Sequence, residues 1–188
     1  MLTTDRVKDL GPLAYFLGTW EGHQGDDIAP GDDRGTENNK FREQLVFEDA
    51  GLVENHEQKL QALRYALMAW RIGVDVPFHE ERGYYIWEAQ TQQLMRSFTI
   101  PRGVALIAGG KVDPSAKEMV LRAEYGSFTY GICSNPFLDV EFRTQSFEMK
   151  IKILGADSFS YDEDTILLMK GRKEPFHHRD QNTLMRVK

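Results

Sequence analysis

Five histidines, at positions 23, 56, 79, 177 and 178, are the side chains of this 188-residue chain best suited to chemistry at neutral pH. His23 and His56 each stand alone, and a lone imidazole is more often a surface or hydrogen-bonded residue than a ligand. His79 lies in the run Pro77-Phe-His-Glu-Glu-Arg-Gly-Tyr84, where Glu80 and Glu81 could pair with it, so it reads first as a loop-closing hydrogen bond. His177 and His178 are adjacent in an extended segment, so their side chains point to opposite faces of a sheet and one of them faces inward. An inward imidazole among apolar residues must find a partner, because an unsatisfied buried polar group costs about 1–3 kcal/mol. Asp180, Asn182 or a metal ion could each serve. Cys133 is the one cysteine, which excludes an internal disulfide and a multi-cysteine zinc or iron–sulfur site. No nucleophile elbow, phosphate loop or dinucleotide fingerprint occurs, and Gly109-Gly110, with no helix after it, reads as a turn.

The elements that must position these residues are strands. The chain opens with a short apolar helical turn over 10–17, containing Gly11 and Pro12, which reads as a plug for one end of the fold. It then passes through Leu17-Gly-Thr-Trp-Glu-Gly22 into a strand. Strand-like runs follow at 40–47, 52–60, 64–72, 83–89, 94–100, 104–108, 119–125, 142–154, 158–169 and 182–187, bounded by turn residues. In one of them Met149, Ile151 and Ile153 alternate with Lys150 and Lys152, the period of a wall with one buried and one wet face. Residues 62–70 could also be drawn as a helical stripe through Tyr65, Met68 and Ala69, but their composition favours a strand. Gly155-Ala-Asp157 supplies a tight turn. The Gly- and Pro-containing segment with acidic residues 26–33 lacks the ligand spacing of a calcium loop and reads as a solvated loop. About ten short antiparallel strands must hide their edges, so an all-β up-and-down barrel is expected, with a two-sheet sandwich as the alternative. A barrel of this size encloses a cavity.

Length and composition fit a single β-barrel domain over 1–188 that needs no staples. A net charge of −6 and the absence of a Lys/Arg run argue against a nucleic-acid partner. No apolar run reaches the roughly 18 residues of a membrane helix. The first nine residues lack the apolar core of a secretory signal, so the chain reads as cytoplasmic. The partner expected is a small molecule, and general base rates allow a homodimer. An iron porphyrin would suit a barrel rich in aromatic residues and Met with one available imidazole. A haem-free carrier of a small apolar ligand, and an enzyme acting through Tyr84, His79 and Glu81 on a cavity substrate, are the other readings.

The chain resembles the nitrobindin family, the haem-binding barrels related to fatty-acid-binding proteins and lipocalins that also form the C-terminal domain of a THAP protein. The likeness is carried by Leu13 with Leu17-Gly-Thr-Trp-Glu-Gly22, Tyr65 to Trp70, Pro77, His79, Glu81, Gly83 and Tyr84, Pro101 and Gly103, Ser115-Ala-Lys117, Phe159-Ser-Tyr161 with Met169, and Pro175 to Val187. The resemblance implies a ten-stranded barrel with a short helix capping one end. It also implies haem b on one histidine near the C-terminus, binding or scavenging of nitric oxide, and isomerisation of peroxynitrite to nitrate. The haem-contacting residues implied are His178, His177, Trp70, His79 and Tyr84, with His178 as the iron ligand and His177 as its rival. Two departures stand out. Residues 24–35 replace the family's Gly-rich run into Tyr-Pro-Thr-Ile by an acidic stretch, and a gapless match places Arg179 at the axial position. Arginine stays protonated and has no lone pair to give iron.

Overall fold

Eleven strands close into one barrel in the computed structural model, which describes residues 4–187. A short helix α1 (Thr4–Asp9) and a 3₁₀ turn (Gly11–Phe16) precede β1 (Gly18–Pro30), β2 (Thr36–Asn55), β3 (Gln58–Arg71), β4 (His79–Glu88), β5 (Gln93–Ile100), β6 (Val104–Lys111), β7 (Glu118–Tyr125) and β8 (Gly131–Ser134). Helix α2 (Pro136–Glu141), capped by the Asn135 side chain on the Leu138 N–H, leads into β9 (Phe142–Ile153), β10 (Ser158–Met169) and β11 (Phe176–Arg186). Around the wall the order is β1, β11, β10, β9, β7, β8, β6, β5, β4, β3, β2. Neighbours run antiparallel apart from the short β7–β8 pair, and β1 pairs with β11 on one side and β2 on the other. Closure removes the edges that a sandwich would have left exposed.

The 3₁₀ turn plugs one end, as its apolar residues require. Leu10, Leu13 and Phe16 are at most 1% exposed. Trp20, the aromatic of the Gly-x-Trp-x-Gly run, is fully buried and donates its indole N–H to the Phe16 carbonyl at 2.6 Å, tying plug to wall. Rings of Phe16, Trp20, Phe47, Tyr65, Tyr85 and Phe159 then meet one another across the barrel at centroid distances of 4.9–6.3 Å. The plug half is thus a packed core. A smaller apolar cluster of Leu167, Met169 and Phe176 with Ile28 and Phe142 lies towards the opposite end.

Several elements differ from their sequence reading. The acidic segment is strand rather than solvated loop: β1 continues to Pro30, alternating a half-buried, outward Asp26 with a buried Asp27, and the turn is confined to 31–35. Alternation carries one of the Asp26–Asp27 pair inside, which composition alone hides. The expected strand at 52–60 straddles a hairpin turn at His56, whose φ of +51° ends β2 and lets β3 begin. Gly109-Gly110 lies within β6 and is not a turn. A Cβ on Gly110 would sit 2.2 Å from the Val120 carbonyl oxygen, so the residue marks a close strand approach. The strand β8 and helix α2 have no counterpart in the sequence reading. Among the described residues no helix is long and apolar enough to cross a membrane.

Candidate functional site

One charged residue interrupts the inward apolar stripe on several strands at about the same height. On β2 the inward series is Phe41, Glu43, Leu45, Phe47; on β5 it is Leu94, Arg96, Phe98; on β10 it is Phe159, Tyr161, Glu163. These residues form a polar belt across the barrel above the packed half. Arg96 is 2% exposed and bonds Glu81 at 2.5 Å and Glu163 at 2.9 Å, with its Nε donating to the Tyr65 hydroxyl at 3.1 Å. Tyr65 in turn donates to Glu81 at 2.7 Å, and His79 contacts the second Glu81 oxygen at 3.2 Å. The guanidinium also lies 4.4 Å from the Phe98 ring centroid. A buried guanidinium is tolerated only with such a full set of partners.

Burial pushes the Glu81 carboxyl up, but Arg96 and His79 outweigh it and hold Glu81 well below the usual carboxylate range. Burial likewise works against a charged His79, yet the Glu81 carboxylate leaves its pKa raised. Glu163 ends raised, by burial first.

Glu43 sits in the same belt with a different balance. Tyr161 and Asn182 donate to its Oε1 at 2.9 and 2.8 Å, and its Oε2 is buried with no partner. Burial, with the negative fields of Glu81 and Glu163 added, pushes the Glu43 carboxyl up to about 7. The Asn182 amide reaches Glu43 across Gly22, where a Cβ would fall 2.4 Å from the amide nitrogen. Gly22→Ala should therefore dislodge Asn182 and lower stability by about 1–3 kcal/mol, read from the urea midpoint. An unchanged midpoint would show that Asn182 is not held there.

Towards the mouth, His178 faces inward and His177 outward, as their adjacency on one strand requires. His178 Nε2 lies 3.0 Å from Asp27 Oδ1, while Arg71 donates to Asp27 Oδ2 at 2.6 Å and stacks 3.7 Å from the Phe78 ring centroid. Burial opposes the Asp27 charge, but His178 and Arg71 prevail and its pKa is lowered. His177 pairs with Asp164 on the outer wall at 2.8 Å. Trp70 also lies on the outer wall, under the Arg42 guanidinium at 4.5 Å, and Tyr84 is 46% exposed on the outside of β4. Of the five residues singled out from the sequence, the structure brings His79 and His178 to the inner face at the mouth and leaves Trp70, Tyr84 and His177 outside. The partner of the inward imidazole is Asp27 in place of the expected Asp180 or Asn182, and Asp27, Glu43, Arg96 and Glu163 were missed. Their signal was available: a lone charge at an inward position of an otherwise apolar period-two stripe.

A closed barrel plugged at one end, with inward-facing polar groups at the other, is the architecture of a ligand-binding β-barrel protein. The sequence matches the family described as THAP4-like, heme-binding beta-barrel domain over residues 9–186, and the chain belongs to that family, the nitrobindin type. Its fold is similar to the crystal structure of Rv2717c from M. tuberculosis, with a TM-score of 0.68, 19% identity and 100% of both chains covered. No curated protein matches the sequence.

Haem b needs a free imidazole tip for its iron and apolar cover for its faces. The inward residues of this chain do not fit it. The Nε2 of His178 is engaged by Asp27, itself fixed by Arg71. Inward of His178 stand Asp180, Glu163 and Glu43, the last with a partnerless oxygen, so a porphyrin face laid there would bury carboxyls against carbon.

Proposed function

We propose that this chain is a small-molecule-binding barrel that keeps the architecture of the haem-binding family and uses it for a compact, polar guest held at the mouth between His79 and His178. The observation that carries this reading is the charged belt around Arg96, which sets donors and acceptors in fixed positions on the inner wall. Ligand sites combine apolar cover with a few convergent polar groups, and the mouth offers Leu167 and Phe176 beside the belt. Native mass spectrometry of the protein as isolated tests it. The expected result is a colourless protein, with any retained guest a small organic mass. A stoichiometric haem mass would overturn it.

The second reading is the family's own chemistry: haem b in the cavity, reacting with nitric oxide or peroxynitrite. The inward facing of His178 favours it. It requires the imidazole to leave Asp27, and it makes a Soret band sensitive to substitution at residue 178 its signature.

A further inference from the structure

A groove crosses the outer wall of the barrel, away from the mouth. It encloses about 550 Å³ and runs from β1 over β11, β10 and β9 to β7. Two cross-strand rows of outward side chains build it. In one, Asp26, Gln181, Asp162 and Lys150 are successive direct partners, and in the other Thr183, Ser160 and Lys152 are. The short Thr183 and Ser160 form the trough, and the longer side chains rim it.

The β1 end of the groove is shaped by a bulge. Between Gly22 and Gly25, His23 and Gln24 stand opposite the single residue Arg42 of β2, and on the other side β1 and β11 form no register pair between Glu21 and Asp26. Strict alternation after the inward Trp20 and Gly22 would carry Gln24 into the barrel. The extra residue turns it outward into the groove, as bulges re-aim side chains beside functional sites. The chain accommodates this with glycine: a Cβ on Gly22 would strike the Asn182 amide and one on Gly25 the Phe41 ring.

The lining selects the chemistry of an occupant. Among the described residues the side chains of Gln24, Gln181, Ser160, Thr183 and Asp162 have no hydrogen-bond or ion-pair partner. No arginine lines the groove, and Lys150 and Lys152 are paired with Glu148 and Glu118, which disfavours a phosphate or carboxylate. The same two ammonium groups flank Asp162 and disfavour an amine. No outward aromatic lines it, so an apolar guest has no cover. An added peptide strand has no edge to pair with, because β9, β10 and β11 each have neighbours on both sides and the Thr183 N–H at the bulge is taken by the Asn182 side chain at 2.9 Å. What remains is a neutral molecule with many hydroxyls, which amides, hydroxyls and a carboxylate can both donate to and accept from.

We propose that this groove binds a neutral oligosaccharide lying across the strands, with Asp162 and Gln181 accepting from its hydroxyls and Gln24 closing the β1 end. The site lies outside the barrel and does not depend on what the mouth holds.

The experiment is amide NMR of the full chain titrated with maltotriose, cellotriose and triacetylchitotriose. Inorganic phosphate, butylammonium chloride and the peptide acetyl-Gly-Ser-Gly-Ser-amide serve as controls. At least one saccharide should saturably shift the backbone amides of residues 160, 162, 181 and 183 and the side-chain amides of Gln24 and Gln181, and leave those of residues 79 and 178 in place. Asp162→Ala should weaken that saccharide about tenfold or more, the effect of losing a hydrogen bond to a charged group. Its melting temperature should match the parent's, since the side chain is exposed and unpartnered. Gln24→Ala should weaken the same saccharide without moving the melting temperature. The proposal is overturned if none of the saccharides binds saturably, if the shifts fall at the mouth instead, or if both variants bind as the parent does. The same groove shifts with phosphate, butylammonium or the peptide would also overturn it.

Discussion

Arg96→Met is expected to lower stability at pH 8 by about 3–5 kcal/mol, the range for removing one partner of a buried ion pair. The substitution keeps an apolar stem of similar length but leaves Glu81 and Glu163 buried without their shared guanidinium, with only His79 beside Glu81. In the parent, Glu81 has a folded-state pKa below its unfolded one, so its contribution is present above the unfolded value and is lost as pH falls through the folded value. Without Arg96, burial and mutual repulsion raise both carboxyls, so the variant regains stability as pH falls and they take up protons. The gap between parent and variant therefore narrows from pH 8 to pH 4. Urea unfolding at both values checks it, and a gap equal at the two would show that Arg96 acts through packing alone. Replacing all three residues, Arg96→Met with Glu81→Gln and Glu163→Gln, should recover much of the loss at pH 8.

Glu43→Gln should have the opposite sign. With Glu43 raised from 4.5 to about 7, the unfolded chain ionises this group through that window while the folded chain keeps its proton. Stability accordingly falls as pH rises across the window and is flat above it. The shift corresponds to about 3 kcal/mol. The glutamine carbonyl can still accept from Tyr161 and Asn182, and its neutral amide removes the titration. The variant should be more stable than the parent by about that amount at pH 8 and nearly equal to it at pH 4. Melting temperatures at the two pH values decide the matter, and an equal effect at both would mean that Glu43 is not held protonated.

Much of the fold was legible in the sequence, because a half-buried wall writes its period of two into residues such as 149–153, and the plug announced itself by four apolar residues around Pro12. Turn positions were harder. The β2–β3 hairpin turns at His56, where neither Gly nor Pro marks it, and Gly109-Gly110 looked like a turn because glycine was used to admit a neighbouring strand. The site was less legible for a different reason. Histidine draws notice as a ligand, whereas Glu43, Arg96 and Glu163 resemble surface residues until alternation is followed through to their neighbours. Asp27 was hidden in an acidic run whose other members do face water. Trp70 and Tyr84 were read into the pocket by family likeness, and the alternation of β3 and β4 turns both outward.

The inner wall is organised around charge and not around a porphyrin. Titration of the parent and of His178→Ala with hemin, followed at the Soret band, tests this most directly. The two proteins are expected to give the same spectrum, that of hemin adsorbed without a specific axial ligand. A sharp Soret band that saturates at one hemin per chain in the parent and disappears in His178→Ala would contradict it.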